Sequence, residues 1–530
     1  MKGKEPGKPK VALILAGLMA SLLLAALDST IVGTALKTIV NELDGMKFYA
    51  WPFTIYMLCS TVAIPISGGL ADIMGRKPVL LAGIGAFLLG SALCGASQTM
   101  MQLILFRGLQ GIGGGVVVSG VFTVVADLFP PEKRGTYTGI VTSMYGLASI
   151  IGPLAGGCLT DSLSWRWIFY VNIPVGVAAA FLLICAMPNF RAEGKAKPVD
   201  WLGTLALSLA LVPMLLAFSW AGRDYAWSSP LIVGMFAFSL LMVAAFLLVE
   251  SKVTNPMVPL SLFRGRTIPA AFAVAFLTNA VMFAAIMFLP YFVQGVIGST
   301  ATTSGAVTAP MMLGLLVMSN ITGFLVSRSG RSKPFVFTAF ALMALGAWLL
   351  STMNMDTLYS TAVLFMVVLG FGVGASMPVA NISAQNAAPR EQIGSVTSVV
   401  QFFRNIGATV ASAVYGTILA NSMASGFQKL DMSHIPENVQ GLLRNPQIIT
   451  DAQAVAQIRA NVPTEYAGYF NGVLGQAKGV LSNAIHDVFV FCIFVAAAGV
   501  LAAFLLKNTA AQPRGKTMAA LEPVGTEAAK

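Results

Sequence analysis

Residues 68–78 read GGLADIMGRKP, and residues 323–334 read GFLVSRSGRSKP. Both fit the frame G-x-L-x-x-x-x-G-R, so Gly68, Leu70, Gly75 and Arg76 recur as Gly323, Leu325, Gly330 and Arg331. A second echo pairs PPEKRG (130–135) with APREQIG (388–394). The two offsets, 255 and 259 residues, are nearly equal. The chain is therefore built from two related halves. Parallel repeats about an axis normal to the membrane are a common plan for proteins that rock between two states.

Apolar runs surround these repeats. They lie near 12–35, 50–71, 79–97, 101–126, 136–160, 167–188, 201–220, 230–249, 269–297, 304–326, 335–352, 357–381, 395–420 and 486–506. Most approach the roughly 20 apolar residues that a membrane-spanning helix needs. Composition agrees: 56% of the 530 residues are hydrophobic and only 10% charged, against about 25% charged in soluble domains. The first run is too long for a cleaved leader and carries Asp28. Cys59, Cys94, Cys158, Cys185 and Cys492 all fall in apolar runs and are odd in number, which argues against a disulfide frame. His434 and His486 are too few for a zinc or haem centre.

The expected fold is an all-α membrane protein with fourteen spans. Residues 1–190 form an N-terminal six-helix bundle, 191–268 hold two additional helices and linkers, and 269–510 form a C-terminal six-helix bundle. Residues 421–484 read as an external loop and 511–530 as a cytoplasmic tail. With the N-terminus inside, 22 of the 32 Lys and Arg fall in the termini and inner loops, against 8 in the outer loops. Positive loops stay cytoplasmic, which predicts both termini inside, in the cytoplasmic membrane. The net charge of +11 then faces anionic lipid, not nucleic acid.

Only Arg107 and Arg404 among the basic residues, and Asp28 among the acidic ones, lie deep within spans. Charges in the hydrocarbon are costly and mark functional sites. Asp28 lies roughly 24 Å along the first run and Arg107 roughly 30 Å from the inner end of the fourth, so their depths are comparable. Arg404 has no second membrane carboxylate. Gln294, Gln401, Asn405, backbone carbonyls or an anionic substrate group are its available partners.

In these residues the chain resembles the major facilitator superfamily, in its fourteen-span drug:proton antiporter branch of multidrug efflux transporters. The resemblance covers about residues 11–507. It rests on LDSTIVGTAL (27–36), GGLADIMGRKP (68–78), LILFRGLQGIGGG (103–115), GPLAGG (152–157), YFVQGVIG (291–298) and QFFRNIG (401–407), in that order. It implies proton coupling at Asp28 and Arg107. The loop motif is then a gate of Gly68, Asp72, Gly75, Arg76 and Asp127, with Arg331 in the second copy. Asp72 is expected to meet the start of the following helix, and Arg76 to reach Asp127. The antiporter motif is carried by Gly139, Gly152, Pro153, Gly156 and Gly157, whose proline and glycines predict a bend where the two bundles meet. The chain departs from the family pattern at Ala148, where glycine is usual, at Lys37, where proline is common, and at Ser327, which stands for Asp72 in the second copy.

The expected activity is proton-driven export of amphipathic or cationic compounds, the alternative being export of lipids or lipid-like amphiphiles. The cavity is expected among Asp28, Tyr56, Phe283, Tyr291, Gln294, Gln401, Arg404 and Asn405. No intramembrane catalytic set is legible, which argues against an enzyme. GFGVGA (370–375) lies within a span and PRGKT (513–517) lacks its first glycine, so nucleotide binding is unsupported and no cofactor is expected. Partners are small amphipathic substrates, protons and membrane lipids, not nucleic acid. The chain is expected to work as a monomer, with an accessory partner left open.

Overall fold

The computed structural model describes residues 8–43, 48, 51–188, 200–222, 225–253, 256, 258–298, 301–389, 392–429, 459 and 467–507. Each apolar run becomes a helix. The first seven helical elements are α1 (Lys8–Glu42), α2 (Trp51–Met74), α3 (Arg76–Ala96), α4 (Met100–Leu128), α5 (Pro131–Ser162), α6 (Trp167–Tyr170) and α7 (Asn172–Ala186). A pair follows, α8 (Trp201–Trp220) and α9 (Pro230–Lys252). The last six are α10 (Thr267–Tyr291), α11 (Ala301–Ser329), α12 (Lys333–Ser351), α13 (Tyr359–Ala387), α14 (Ile393–Phe427) and α15 (Ala467–Leu505). α6 and α7 share one apolar run, interrupted at Val171.

Thirteen of these segments, with α6 and α7 taken as one, are long and apolar enough to cross a membrane. α5 is the fourteenth. Its 32 residues reach about 48 Å at 1.5 Å per residue. It trades leucine and valine for glycine, serine and threonine because it packs between α1 and α11 rather than against lipid. The reverse holds for α9, which buries only Ile232, Ser239, Phe246 and Glu250 along one narrow stripe. The repeated glycines have a backbone reason. Gly75 and Gly330 adopt φ of 100° and 65°, a region costly for residues with a Cβ, and so turn the chain sharply from α2 into α3 and from α11 into α12.

Two ends differ from the sequence reading. α15 starts at Ala467, well before the apolar run at 486, and α14 extends to Phe427. The loop read at 421–484 is therefore helical at both flanks, while 430–458, 460–466 and the tail 511–530 lie outside the described residues. Polar Gln476, Lys478, Asn483 and Asp487 hid the start of α15. Its buried face, Phe470, Val473, Ala477, Leu481 and Ala484, nevertheless keeps helical spacing.

The first seven elements pack among themselves, and so do the last six. The sets meet along two seams: α5 with α11 and α13, and α14 with α2 and α4. α8 lies against both α2 and α14. There Leu215 joins Leu58 and Ile406 in one apolar cluster. At the far end of α8, Trp220 packs edge-on to Trp51 at 6.1 Å, and Trp227 Nε1 donates to Thr417 Oγ1 at 2.8 Å. The additional pair is thus fastened to both sets of helices.

The two interiors differ. The last six helices share one continuous apolar core. In the first set the apolar interior is split. Ile14, Leu18, Leu22, Leu80, Val117 and Val121 form a cluster toward one end. Ile31, Ala35, Cys94, Leu103 and Ile104 form another toward the other. A polar layer separates them.

Candidate functional site

Asp28 lies in that layer. α1 carries it between Ala25 and Ile31, and α4 brings Arg107 to it. Arg107 Nη1 donates to Asp28 Oδ2 at 2.5 Å, with both side chains 0% exposed. Gln110, one turn along α4, donates from Nε2 to Asp28 Oδ1 at 2.7 Å, and its Oε1 accepts from Arg107 Nη1 at 2.8 Å. Asn172, at the head of α7, reaches the same Oδ1 at 3.4 Å and Ser91 Oγ at 3.0 Å. Arg107 Nε donates to the Pro52 carbonyl at 3.3 Å, and its guanidinium sits 4.3 Å over the ring of Tyr56. Tyr56 is accordingly buried inside this nest of the first helical set.

Such a pair is stable only if both partners keep their charges and hydrogen bonds. Adding a proton to Asp28 removes one charge and leaves the Arg107 cation held by neutral groups. The arrangement can therefore convert proton binding into a loss of packing energy between α1 and α4. Arg107 Nη2 and Asn172 Oδ1 already lack partners within it, so part of the nest's hydrogen-bonding capacity is unused.

The second group sits at the end that carries the basic loops. Arg76 bonds Asp72 through Nη1 and Asp127 through Nε, the latter at 2.7 Å. Asp72 was expected to meet the helix that follows it. Its Oδ1 does so through Arg76, the first residue of α3, and its Oδ2 in addition accepts from the backbone N–H of Ser395 at 3.0 Å and from Ser395 Oγ at 2.7 Å. Ser395 is the third residue of α14, whose own flanking Gln392 supplies no side-chain cap. A helix start has unpaired N–H groups and a positive dipole end. A carboxylate from the other helical set satisfies both, whereas α3 begins at Arg76 itself. Gly68 allows this approach: a Cβ there would collide with Ser398 Oγ. Ser398 also hydrogen-bonds Ser119 of α4 at 2.8 Å. The two helical sets are closed against one another at this end. Arg331, in the second copy, is exposed and forms no ion pair among the described residues.

The α5 glycines divide into two groups. A Cβ on Gly139 would lie 2.6 Å from the Ser319 carbonyl, and one on Gly146 would lie 2.9 Å from that of Met312. Gly135 and Gly323 meet backbone to backbone. These three α5 glycines form the seam with α11. Gly152 instead packs against Thr30 of α1, within the first set. Gly156 is buried, Gly157 has open space beside it, and α5 stays helical through Pro153. Of the glycines expected at the bundle contact, Gly139 makes it, and the seam lies about two to five turns before GPLAGG, where backbones rather than side chains must touch.

Arg404 is buried in α14. Its Nη1 donates to Gln401 Oε1 at 2.8 Å and its Nη2 to the Met377 carbonyl at 3.3 Å. Asn405 reaches Thr61 of α2 at 3.5 Å. Of the partners considered for Arg404, Gln401 and a carbonyl are used. Gln294 lies in the π-helical turn Phe292–Val296 that follows α10. That is fifteen residues beyond Asn279, which bonds the Arg404 carbonyl, and so roughly 20 Å away along the helix. Tyr291 packs with Phe288 at 6.2 Å and Phe283 is half-buried. Phe288 and Tyr291 belong to the far part of α10, whereas Phe283 lies one helical turn beyond Asn279.

Several participants were not singled out in the sequence. Gln110 stands one turn from Arg107 in FRGLQG, and Asn172 opens an apolar run in VNIP. A lone amide in a span must find a partner, which was the available signal for both. Ser395 carried none, because capping in trans depends on tertiary structure.

The family model for the Major Facilitator Superfamily matches residues 18–412. The Multidrug transporter protein MdtP of Bacillus subtilis is 38% identical over 521 residues, covering 95% of this chain and 94% of that protein. Multidrug resistance protein 3 of the same organism is 34% identical over 482 residues, covering 91% and 92%. Among solved structures, the human organic anion transporter MFSD10 aligns with a TM-score of 0.57 at 14% identity, over 93% of this chain and 100% of that one. The proton:xylose symporter XylE aligns with a TM-score of 0.55 at 13% identity, over 93% and 94%. These two likenesses concern the fold alone.

Proposed function

The chain belongs to the Major Facilitator Superfamily, a multi-pass membrane transporter and not an enzyme, and on that premise we propose that it exports amphipathic or cationic drug-like compounds in exchange for protons. It does so across the cytoplasmic membrane, with both termini inside. The names of its relatives, a multidrug transporter and a multidrug resistance protein, support the substrate class. The observation that carries the coupling is the sealed Asp28–Arg107 pair. It lies within the first helical set, and so it can register a proton without touching the closure at the other end.

In the exchange, a proton from outside neutralises Asp28 and weakens its hold on Arg107. α1 and α4 then readjust. α4 carries both Arg107 and Asp127, so the same helix links the proton site to the latch. Release of Asp72 from Ser395 opens the cytoplasmic end to the next substrate, and loss of the proton there resets the pair.

The test is substrate-induced proton release from purified protein, with proton-driven export in proteoliposomes beside it. Asp28→Asn is expected to abolish both while membrane levels stay normal. Parental proton release from that variant would transfer the coupling to another group.

A further inference from the structure

Arg404 is the one cation deep in the spans that no carboxylate meets among the described residues. Asp28 and Arg107 cancel, so Arg404 leaves the membrane interior with an uncompensated positive charge. That is strongly unfavourable unless something brings an anion. Its guanidinium has five N–H donors. The contacts made are to neutral oxygens, Gln401 Oε1 at 2.8 Å and the Met377 carbonyl at 3.3 Å. Gln401 in turn donates to Asn381 Oδ1 at 3.1 Å, which leaves Asn381 Nδ2 buried without a partner. A cation and an idle amide donor thus stand one hydrogen-bonded residue apart.

The position fits a ligand. Arg404 is eleven residues from the start of α14, roughly 16 Å along it and so near mid-membrane. Its guanidinium lies against α13 through the Met377 carbonyl, and α13 in turn packs on α5 of the first set. Its neighbour Asn405 touches Thr61 of α2. With the 259-residue offset, Tyr145 is the position that answers to Arg404 in the first half of the chain. The second half therefore carries a charge where the first carries a phenol. Parting of the two sets uncovers that charge.

We propose that Arg404, backed by Gln401 and Asn381, binds an anionic group, a carboxylate or a phosphate, on an amphipathic ligand held between the two helical sets. The proposal rests on the export reading and singles out, among amphipathic substrates, those with a negative group, zwitterions included. A carboxylate can take the guanidinium in a two-pronged contact. Gln401 Oε1 is then freed and the cation is neutralised only while the ligand is present. A phospholipid headgroup and a soluble carboxylate offer the same chemistry.

The experiment compares a rhodamine carrying a free carboxylate with the same dye as its ethyl ester. Binding is read by anisotropy on full-length protein in phosphatidylcholine nanodiscs. Arg404→Gln should weaken the acid at least tenfold and change the ester less than twofold, with Arg404→Lys between parent and Gln. Asn381→Ala keeps the cation and should weaken the acid alone by about threefold, which holds the test open if Arg404→Gln fails to fold. Equal loss for both dyes, or equal affinity of the parent for both, would overturn the proposal. Replacing part of the lipid with phosphatidylglycerol assigns the anion. Competition with the acid dye identifies a net-anionic lipid headgroup, no competition identifies a soluble amphiphile, and either keeps Arg404 as the partner. No proton gradient is present in this measurement. A parent that binds the acid dye but releases no protons would sink the export reading and leave the anion site standing.

Discussion

At the scale of single residues, the Asp28–Arg107 nest is where a small change has the largest effect. Arg107 shares its Nη1 between Asp28 and Gln110, and its plane lies over Tyr56. Removing one partner of a buried ion pair strands the other charge, at a cost of about 3–5 kcal/mol. Arg107→Met should therefore lower the thermal unfolding midpoint in detergent clearly. Adding Asp28→Asn to it should restore most of the loss, because neither charge then remains. A double variant no more stable than Arg107→Met would show that Asp28 is held by its amide neighbours instead. The charged members of this nest were legible in the sequence, since ionisable groups in spans are few and expensive. The amides that complete it were less so. Gln110 and Asn172 are neutral, and only their distances to Asp28, 2.7 and 3.4 Å, reveal their part.

Among elements, α5 and α15 show how far sequence pattern reaches. The fourteen apolar runs each found a helix because burial in lipid or protein needs the same apolar length. α5 was recognisable as the apolar run 136–160 although it is the least lipid-like, and its glycines signalled close helix contact. Which of its glycines face α11 was not recognisable, because that depends on the rotation of two helices about their axes. The structure selects Gly135, Gly139 and Gly146 for the seam and turns Gly152 toward α1. Gly139→Val should force the Ser319 backbone away, an overpacking of about 1–3 kcal/mol. We expect at least a tenfold fall in export rate with normal membrane levels. Gly157→Val, which meets nothing within 4 Å, should stay within twofold of the parent. Similar losses for both, measured by dye efflux from cells, would remove the seam as the cause. α15 gave the opposite lesson, because its early polar residues outweighed a regular buried stripe when apolarity alone was read.

For the molecule as a whole, the described form is closed at the end that carries the basic loops. Arg76 ties Asp72 to Asp127, and Asp72 caps α14 across the seam. Hydrogen bonds to charged groups contribute about 1.5–3 kcal/mol each, so their loss shifts such an equilibrium tenfold or more. Arg76→Gln should favour the form opened at this end. Cysteines replacing Arg134 and Asn386, whose side chains bond across the seam at 3.5 Å, should then cross-link several-fold less, with dye binding within twofold. Unchanged cross-linking would place the closure elsewhere. Orientation has its own check. In a chain without the native cysteines, Ser425→Cys, exposed near the end of α14, should react with an impermeant maleimide added to intact cells. Protection from it would reverse the assignment of the two faces. The repeat frame made the two-part plan readable, whereas the unequal closures were not, because among the described residues only the first copy has acids paired with its arginine. The two seams also differ in how freely they can drift. Along α5 and α11, main chains touch at Gly135 and Gly323, and a single added methyl has nowhere to go. Along α2, α8 and α14, away from the close approach at Gly68 and the Asp72 latch, contact is made by Leu58, Leu215, Phe402, Ile406 and Val410, whose sizes can be exchanged against one another. Under selection by a new toxic compound, heritable changes in recognition will gather on that second wall while the glycine wall stays nearly invariant, so the protein evolves from one side only.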